Sequence, residues 1–279
     1  MRILSSQEEN LRQALYAKAL NDREIAERLG IASPTIAGWR HRRGLPPNYS
    51  PCYEPKTPER KQFEYLLGVI HGDGYVKCRR RSGIILIPIA LRDEAYKNAL
   101  KLIFERAYGY MPQEFLHNNC FYLQVCSVKI AEEFVRYKND GRWLLPELEY
   151  PEEYLAGLWD TDGSIQFQMY RYKKGNRVGY TVSRYIGLEQ KSNGNLKLVV
   201  PILKSLNFNP SLRTYIYENK LGVFKKDVIR VPSPDFARFK SIIPLKHSRK
   251  IIALEKVVGY KRRWKNQYGE GLVLKEVTK

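Results

Sequence analysis

Two stretches of this 279-residue chain run an apolar segment into Asp-Gly: LLGVIHGDG at 66–74 and LAGLWDTDG at 155–163. Each reads as the last turns of a helix. A helix C-terminus carries partial negative charge, so Asp73 and Asp162 are unfavourable there by about 0.3–1 kcal/mol. Gly74 and Gly163 have a plain role, since glycine suits a left-handed C′ position. Gly68 and Gly72 lie four apart, and Gly157 and Thr161 repeat that spacing. Small residues on one face allow two helix backbones to approach closely. Side by side, the two helices would bring Asp73 and Asp162 together. Paired carboxylates repel each other, and a divalent cation resolves the repulsion. All-oxygen ligands suit Mg²⁺, which keeps water and phosphate oxygens in its shell. That combination is the chemistry of phosphodiester hydrolysis.

The surrounding pattern repeats with the motifs. After KQFEYLLGVIHGDG come strand-like runs YVKCRR and GIILIPIAL, the helix DEAYKNALKLIFERAYG, and strands MPQEFLH and FYLQVCS. VKIAEEFVRYKND closes the round. After PEEYLAGLWDTDG come SIQFQMYRYK and GYTVSRYIGLEQ, the helix SNGNLKLVVPILKSLNF, strands SLRTYIYEN and KKDVIRVPS, and PDFARFKSII. The order α-β-β-α-β-β-α therefore occurs twice, which predicts an α+β fold with an internal repeat.

Charge narrows the partner. The chain carries a formal net charge of +19, and a polyanion is the natural counterpart. Residues 1–50 contribute +3, residues 51–150 +2 and residues 151–279 +14. The basic run YKRRWK at 260–265 supplies only part of this excess. The start MRILSSQEEN does not read as a signal peptide, no run of about 20 apolar residues exists, and no Cys-x-x-Cys pair occurs. His117, Cys120 and Cys126 lack a fourth ligand and zinc-like spacing. An intracellular chain without a membrane segment is expected.

Alternation assigns the sheet faces. Ile165, Phe167 and Met169 should face helices, leaving Gln166, Gln168, Tyr170 and Tyr172 on the open side. Tyr75, Lys77, Arg79 and Arg81 hold the equivalent offsets after the first motif. Thr181, Ser183 and Tyr185 share one parity on the next strand, and Arg213, Tyr215 and Arg230 are further candidates. Such side chains contact bases and phosphates, although a merely solvated face would share the alternation.

Residues 1–45 read as a small helical module. SQEENLRQALYAKAL places Leu11, Ala14, Leu15 and Ala19 on one face. NDREIAERLG has Asn21 as N-cap and Gly30 as stop, and Ser33 and Pro34 then open IASPTIAGWRHRRG as N-cap and N1. Ile25, Leu29, Ile31 and Ile36 should form its core, with Ala26 at the crossing. Thr35, Arg40, Arg42 and Arg43 would lie exposed on the last of these helices, with Trp39 near its end. An ordinary helical hairpin with a basic outer face would give the same pattern. Residues 46–60, rich in proline, read as a linker.

The two motifs resemble those of single-chain LAGLIDADG homing endonucleases, over roughly residues 61–260. The resemblance implies two pseudo-symmetric αββαββα subdomains, 61–150 and 151–279 (the second with the basic C-terminal tail). Each would present a curved antiparallel sheet to a DNA major groove. It implies a monomer that cuts both strands of a long double-stranded target across the minor groove, leaving 3′ overhangs. Asp73 and Asp162 become metal ligands, with the carbonyls of Gly72 and Thr161 as further ligands. Mg²⁺ is the implied ion, Mn²⁺ a substitute, and Ca²⁺ a support for binding. His71 stands where the second motif has Asp160, a position read as structural. Gln190 and Lys191 match a Gln-Lys pair of the family, with the lysine stabilising charge or polarising water. Leu91 and Arg92 occupy those offsets in the first half, so Arg92 keeps the charge. AERLGIASPTIAGWR resembles small helix-turn-helix DNA-binding modules. An RNA maturase acting on intron RNA, or a non-cleaving DNA-binding regulator, would use the same fold. The two aspartates speak against the regulator. Location would be cytoplasmic or nucleoid in a prokaryotic host, or within an organelle.

Overall fold

The computed structural model describes residues 6–18, 20–45, 55–79, 82–139, 141–174, 177–219 and 222–260. The chain separates into two compact units, Met1–Pro55 and Lys56–Lys279. No helix among the described residues is long and apolar enough to cross a membrane.

The first unit holds α1 (Ser6–Ala17), α2 (Asp22–Leu29) and α3 (Ser33–Arg42). Asn21 caps α2 through a capping box with Glu24, and Gly30 ends it at φ 62°, in the left-handed region. Ala32, not Ser33, is the N-cap of α3, and it makes no side-chain cap. Leu15, Ile25, Ala26, Ile36 and Trp39 form the core, with Leu29 and Ile31 packed against it. Helix α1 is rotated from the expected face: Leu11 is half exposed and Ala14 exposed, while Arg12 is buried. Trp39 draws the helix in by donating from Nε1 to Glu9 at 2.9 Å.

The second unit repeats one architecture. Helix α4 (Arg60–Gly72) leads into β1 (Tyr75–Arg79) and β2 (Ser82–Ala90), then α5 (Glu94–Tyr108), β3 (Gln113–His117), β4 (Cys120–Cys126) and α6 (Val128–Val135). A short hairpin, β5 (Lys138–Asn139) and β6 (Arg142–Trp143), precedes α7 (Pro151–Thr161). The second round runs through β7 (Gly163–Lys174), β8 (Arg177–Lys191), α8 (Asn195–Ser205), β9 (Ser211–Asn219), β10 (Gly222–Arg230) and α9 (Phe236–Ile242). Helix α10 (Ser248–Gly259) follows. The hairpin and α10 were not anticipated from the sequence. The fold is α+β, with two antiparallel four-stranded sheets ordered β1-β2-β4-β3 and β7-β8-β10-β9. Arg81 and the 260–265 run, apart from Tyr260, fall outside the described residues, as do most of the linker prolines.

One apolar core joins both rounds, and α4 and α7 cross its centre. Their backbones nearly touch. A Cβ on Gly68 would strike the Tyr154 carbonyl oxygen and reach 2.8 Å from Leu158 N. A Cβ on Gly157 would strike the Tyr65 carbonyl oxygen and reach 2.9 Å from Val69 N. Gly72 abuts the Thr161 side chain in the same way. Gly74 and Gly163 do not take the left-handed conformation expected of them. They are small because a Cβ would meet the preceding helical turn, at 2.5 Å from Ile70 Cα and 2.7 Å from Trp159 Cα.

Gly157→Ala should therefore push the two helices apart. Overpacking against backbone predicts a destabilisation of about 2–3 kcal/mol for the second unit. Gly259→Ala, where an added Cβ meets nothing within 4 Å, should stay within about 0.5 kcal/mol. Urea midpoints of the two variants test the difference, and equal midpoints would refute the close-approach argument.

Candidate active site

The helix pair ends in two C-cap residues, Asp73 on α4 and Asp162 on α7. Their carboxyl groups face each other. Desolvation and the opposing Asp162 charge push Asp73 up to about 6, opposed by Lys250 and Lys138. Gln190 donates its side-chain amide to Asp162 Oδ2, so β8 fixes the orientation of that carboxylate.

Two lysines complete the centre, and the sequence reading missed both. Lys138 Nζ donates to the carbonyls of Gly74 at 2.6 Å and Ile70 at 3.3 Å. Lys250 Nζ donates to those of Trp159 and Thr161, each at 2.7 Å. Ile70 and Trp159 hold matching places before the two aspartates, so each motif helix receives one ammonium on its terminal carbonyls. This supplies the positive charge that a helix C-terminus favours. Burial brings Lys250 down to about 8, with the neighbouring aspartates pulling the other way. Lys138 is lowered by burial as well. The available signal was indirect: two helices ending in acid required cations from elsewhere in the chain.

The mismatch between His71 and Asp160 resolves as hydrogen-bond complementarity. Asp160 accepts from Lys246 N at 2.7 Å, His247 N at 3.2 Å and Tyr65 Oη at 2.9 Å. His71 instead meets a carbonyl, Tyr137 O at 3.0 Å from Nε2, and Tyr154 Oη at 3.2 Å from Nδ1. A carbonyl needs a donor, so Nε2 carries the proton and Nδ1 accepts from the tyrosine. Burial lowers His71 to about 3, keeping it neutral. Both residues secure loops and stand apart from the chemistry.

Arg92 requires a correction. Tyr75 pairs with Leu86 and Ser164 with Gly187. With Asp73 matched to Asp162, those registers make Ile89 the counterpart of Gln190 and Ala90 the counterpart of Lys191. Leu91 and Arg92 lie past the strand, in a 3-10 turn. They stand two residues beyond the counterparts of Gln190 and Lys191, because the register set by strand pairing, not the likeness of the strand ends, fixes the match. Arg92 nonetheless lines a cleft of about 520 Å³ with Asp73, Thr161, Arg249 and Lys250. Lys191 is exposed, next to Gln190 but on the opposite face of β8.

The open sheet faces hold most of the other candidates. Gln166, Gln168 and Tyr170 pair with Tyr185, Ser183 and Thr181 on one face, and Tyr172 pairs with Gly179. Arg213, Tyr215 and Arg230 share that face by register. The Arg230 guanidinium lies between the rings of Tyr185 and Tyr215, 5.4 and 5.9 Å from their centroids. Tyr75, Lys77 and Arg79 are exposed on β1. Met169, expected against helices, is 43% exposed. In the first unit Thr35 and Arg42 are exposed, but Arg40 is locked to Asp22 at 3.0 Å and Arg43 pairs with Glu9 at 2.7 Å.

No family model matches the chain. An uncharacterized protein of Methanocaldococcus jannaschii is 24% identical over 203 residues, covering 71% of this chain and 67% of that protein. Among solved structures, a mesophilic variant from the homing endonuclease I-DmoI is similar at 17% identity and a TM-score of 0.45, over 66% of this chain and 96% of that one. The homing endonuclease I-WcaI, bound to its DNA recognition sequence, is similar at 18% identity and a TM-score of 0.46, over 76% and 96%. The meganuclease I-SmaMI, bound to uncleaveable DNA, is similar at 14% and 0.47, over 73% and 89%.

The donor set fits a hard divalent cation. Asp73 and Asp162 would offer oxygen donors from separate helices, too few to cage an ion and so leaving room for water and phosphate in its shell. Among the described residues no group of three or more His, Cys, Asp or Glu side chains could hold a metal. The Thr161 carbonyl, expected as a further ligand, already accepts from Lys250.

The raised Asp73 has a consequence for stability without divalent ions. Its proton is held more tightly folded, to about 6, than at the ordinary 3.8. The stabilisation is full below pH 3.8 and disappears as pH rises through about 6. Asp162→Asn removes the facing charge. The variant should be more stable than the parent at about pH 7, on the order of 1 kcal/mol after solvent screening. The gap should close by about pH 4.5. Urea midpoints in EDTA at the two pH values check this; a pH-independent gap would rule out the repulsion.

Proposed function

We propose that this chain is a site-specific double-strand DNA endonuclease of the LAGLIDADG homing type, leaving 3′ overhangs. The observation that carries the reading is the facing Asp73–Asp162 pair at the junction of two open sheets, flanked by Lys138 and Lys250. Two like charges set against each other are costly for a fold that only binds, which disfavours a regulator. Asp73 and Asp162 would hold Mg²⁺, or Mn²⁺ in its place. The bound cation supplies positive charge beside the scissile phosphate and acidifies water. Gln190 holds Asp162 in position. Lys138 and Lys250 offset negative charge that develops on the phosphates. Lys250, near 8, also exchanges a proton close to neutral pH, which suits acid–base work. The sheet faces would carry the DNA, and Thr35 and Arg42 of the first unit would add a second contact. A monomer acting on a long intracellular DNA target fits this arrangement.

Selection from randomised duplexes, followed by incubation with Mg²⁺ or EDTA, tests the proposal. An EDTA-sensitive double-strand cut supports it. Binding without cutting would favour a regulator, and binding confined to intron RNA would favour a maturase. Asp73→Asn or Asp162→Asn should abolish double-strand cleavage and leave binding in Ca²⁺ largely intact. Lys250→Met and Lys138→Met should each slow one strand by roughly a hundredfold, matching about 2.7–4 kcal/mol per electrostatic interaction. Supercoiled plasmid would then accumulate as nicked circles before linear product forms. Equal slowing of both strands by either variant would sink the one-lysine-per-strand assignment.

Removing residues 1–50 should leave a cutting core, because Lys56–Lys279 is a compact unit. The slope of log affinity against log salt should become shallower by about 0.9 for each phosphate that the first unit neutralises in the full chain. An unchanged slope and footprint would show that the first unit does not touch the target.

A further inference from the structure

The two open sheet faces differ in chemistry far more than the repeat suggests. With Asp73 matched to Asp162, the strand registers pair each position of one face with a position of the other. The second face carries Glu189, Lys191, Arg213, Lys226 and Arg230. Their counterparts on the first face are Pro88, Ala90, Phe115, Cys120 and Gln124. Five charged residues correspond to none. The first face instead shows an apolar lane: Ile84, Leu86, Pro88 and Ala90 along β2, with Tyr122 and Phe115 beside them. Burial alternates along β2 so that these four lie on its open side. Phe115 is 41% exposed and stacks on Tyr122 with ring centroids 5.3 Å apart.

We propose that the two half-sites are read by different chemistry: the first sheet reads its half through apolar contact with thymine C5-methyl groups, and the second through charged and polar contacts. This rests on the DNA-endonuclease reading. Three observations favour DNA over another occupant. Pro88 and Ala90 line the same cleft as Asp73, so the lane begins at the proposed scissile region. Lys77 and Arg79 are exposed on its β1 flank, where they suit phosphates. Among the described strand residues of this face there is no carboxylate to repel a polyanion. In the major groove the thymine methyl is the one apolar marker, and small or aromatic apolar side chains contact it.

The test uses the full chain and duplexes selected from a randomised segment in Ca²⁺. Reselection with Arg213→Ala and Arg230→Ala identifies the half under the second sheet. Deoxyuridine then replaces thymidine in each half separately, removing only the methyl groups. The expected result is thymine enrichment in the first-sheet half and about fourfold weaker binding there for each methyl touched. The other half should change less than twofold. Phe115→Ser, on an exposed edge strand, should erase part of the uridine effect without altering the salt slope. Equal sensitivity of the two halves, or a first-sheet half without selected thymines, overturns the proposal while leaving the endonuclease reading intact. Failure to select any sequence overturns both. A chain that is dimeric without DNA and becomes monomeric with Phe115→Ser would assign the face to a second copy and also overturn it.

Discussion

The contact between the backbones of α4 and α7 sets the terms for everything else in the larger unit. Gly68 lies against the Tyr154 carbonyl and Gly157 against the Tyr65 carbonyl, so each helix places its glycine where the other has its tyrosine. Two helices this close end at nearly the same point. Asp73 and Asp162, their C-cap residues, are forced to share a space that neither would choose alone. The electrostatic tension at the centre is thus a consequence of packing. It persists because the apolar core around the helices, continuous through both rounds, holds the crossing in place.

The rest of the centre answers that tension. Lys138 and Lys250 come from different elements, the two-residue strand β5 and helix α10, yet they reach matching carbonyls. Each sits where a helix macrodipole and a carboxylate both favour positive charge. His71 and Asp160 show that the repeat preserves geometry and lets chemistry vary. One position faces a carbonyl and holds a donor, and the other faces backbone amides and holds an acceptor. The N-terminus of α7 follows the same logic: the buried Glu64 carboxylate accepts from Glu149 N and Tyr150 N and pairs with Arg60.

The sheets carry this divergence to the surface. Their strand orders match, and the inward residues are mostly apolar in both, with Gln190 and the buried Asp227 of the second sheet standing where the first has Ile89 and Phe121. The outward residues differ far more, because no packing constraint binds them to one another. The second face concentrates cations and tyrosines, with Arg230 held between two rings. The first is apolar beside a basic flank. The gap between +2 and +14 in the net charge of residues 51–150 and 151–279 is partly a reflection of these faces.

By itself the sequence determined the repeated element order, the closeness of the motif helices and the parity of the sheet faces. These follow from local rules: glycine spacing, period-two alternation and helix-end signals act within a few residues. It also placed the carboxylate pair, because a repeated Asp-Gly at helix ends has no local explanation. Tertiary structure alone decided what depended on partners distant in the chain. Lys138 and Lys250 lie 65 and 88 residues beyond Asp73 and Asp162, with no spacing rule to link them. Arg92 lies past the end of β2, two residues beyond the counterpart of Lys191, because strand pairing sets the register. Arg40 and Trp39 of α3 are claimed by Asp22 and Glu9. Gly74 and Gly163 are small for contact with the helical turn before them, where sequence suggested backbone handedness. For Arg40, Trp39, Gly74 and Gly163 local propensity accounted for the residue type, and three-dimensional packing chose its neighbour.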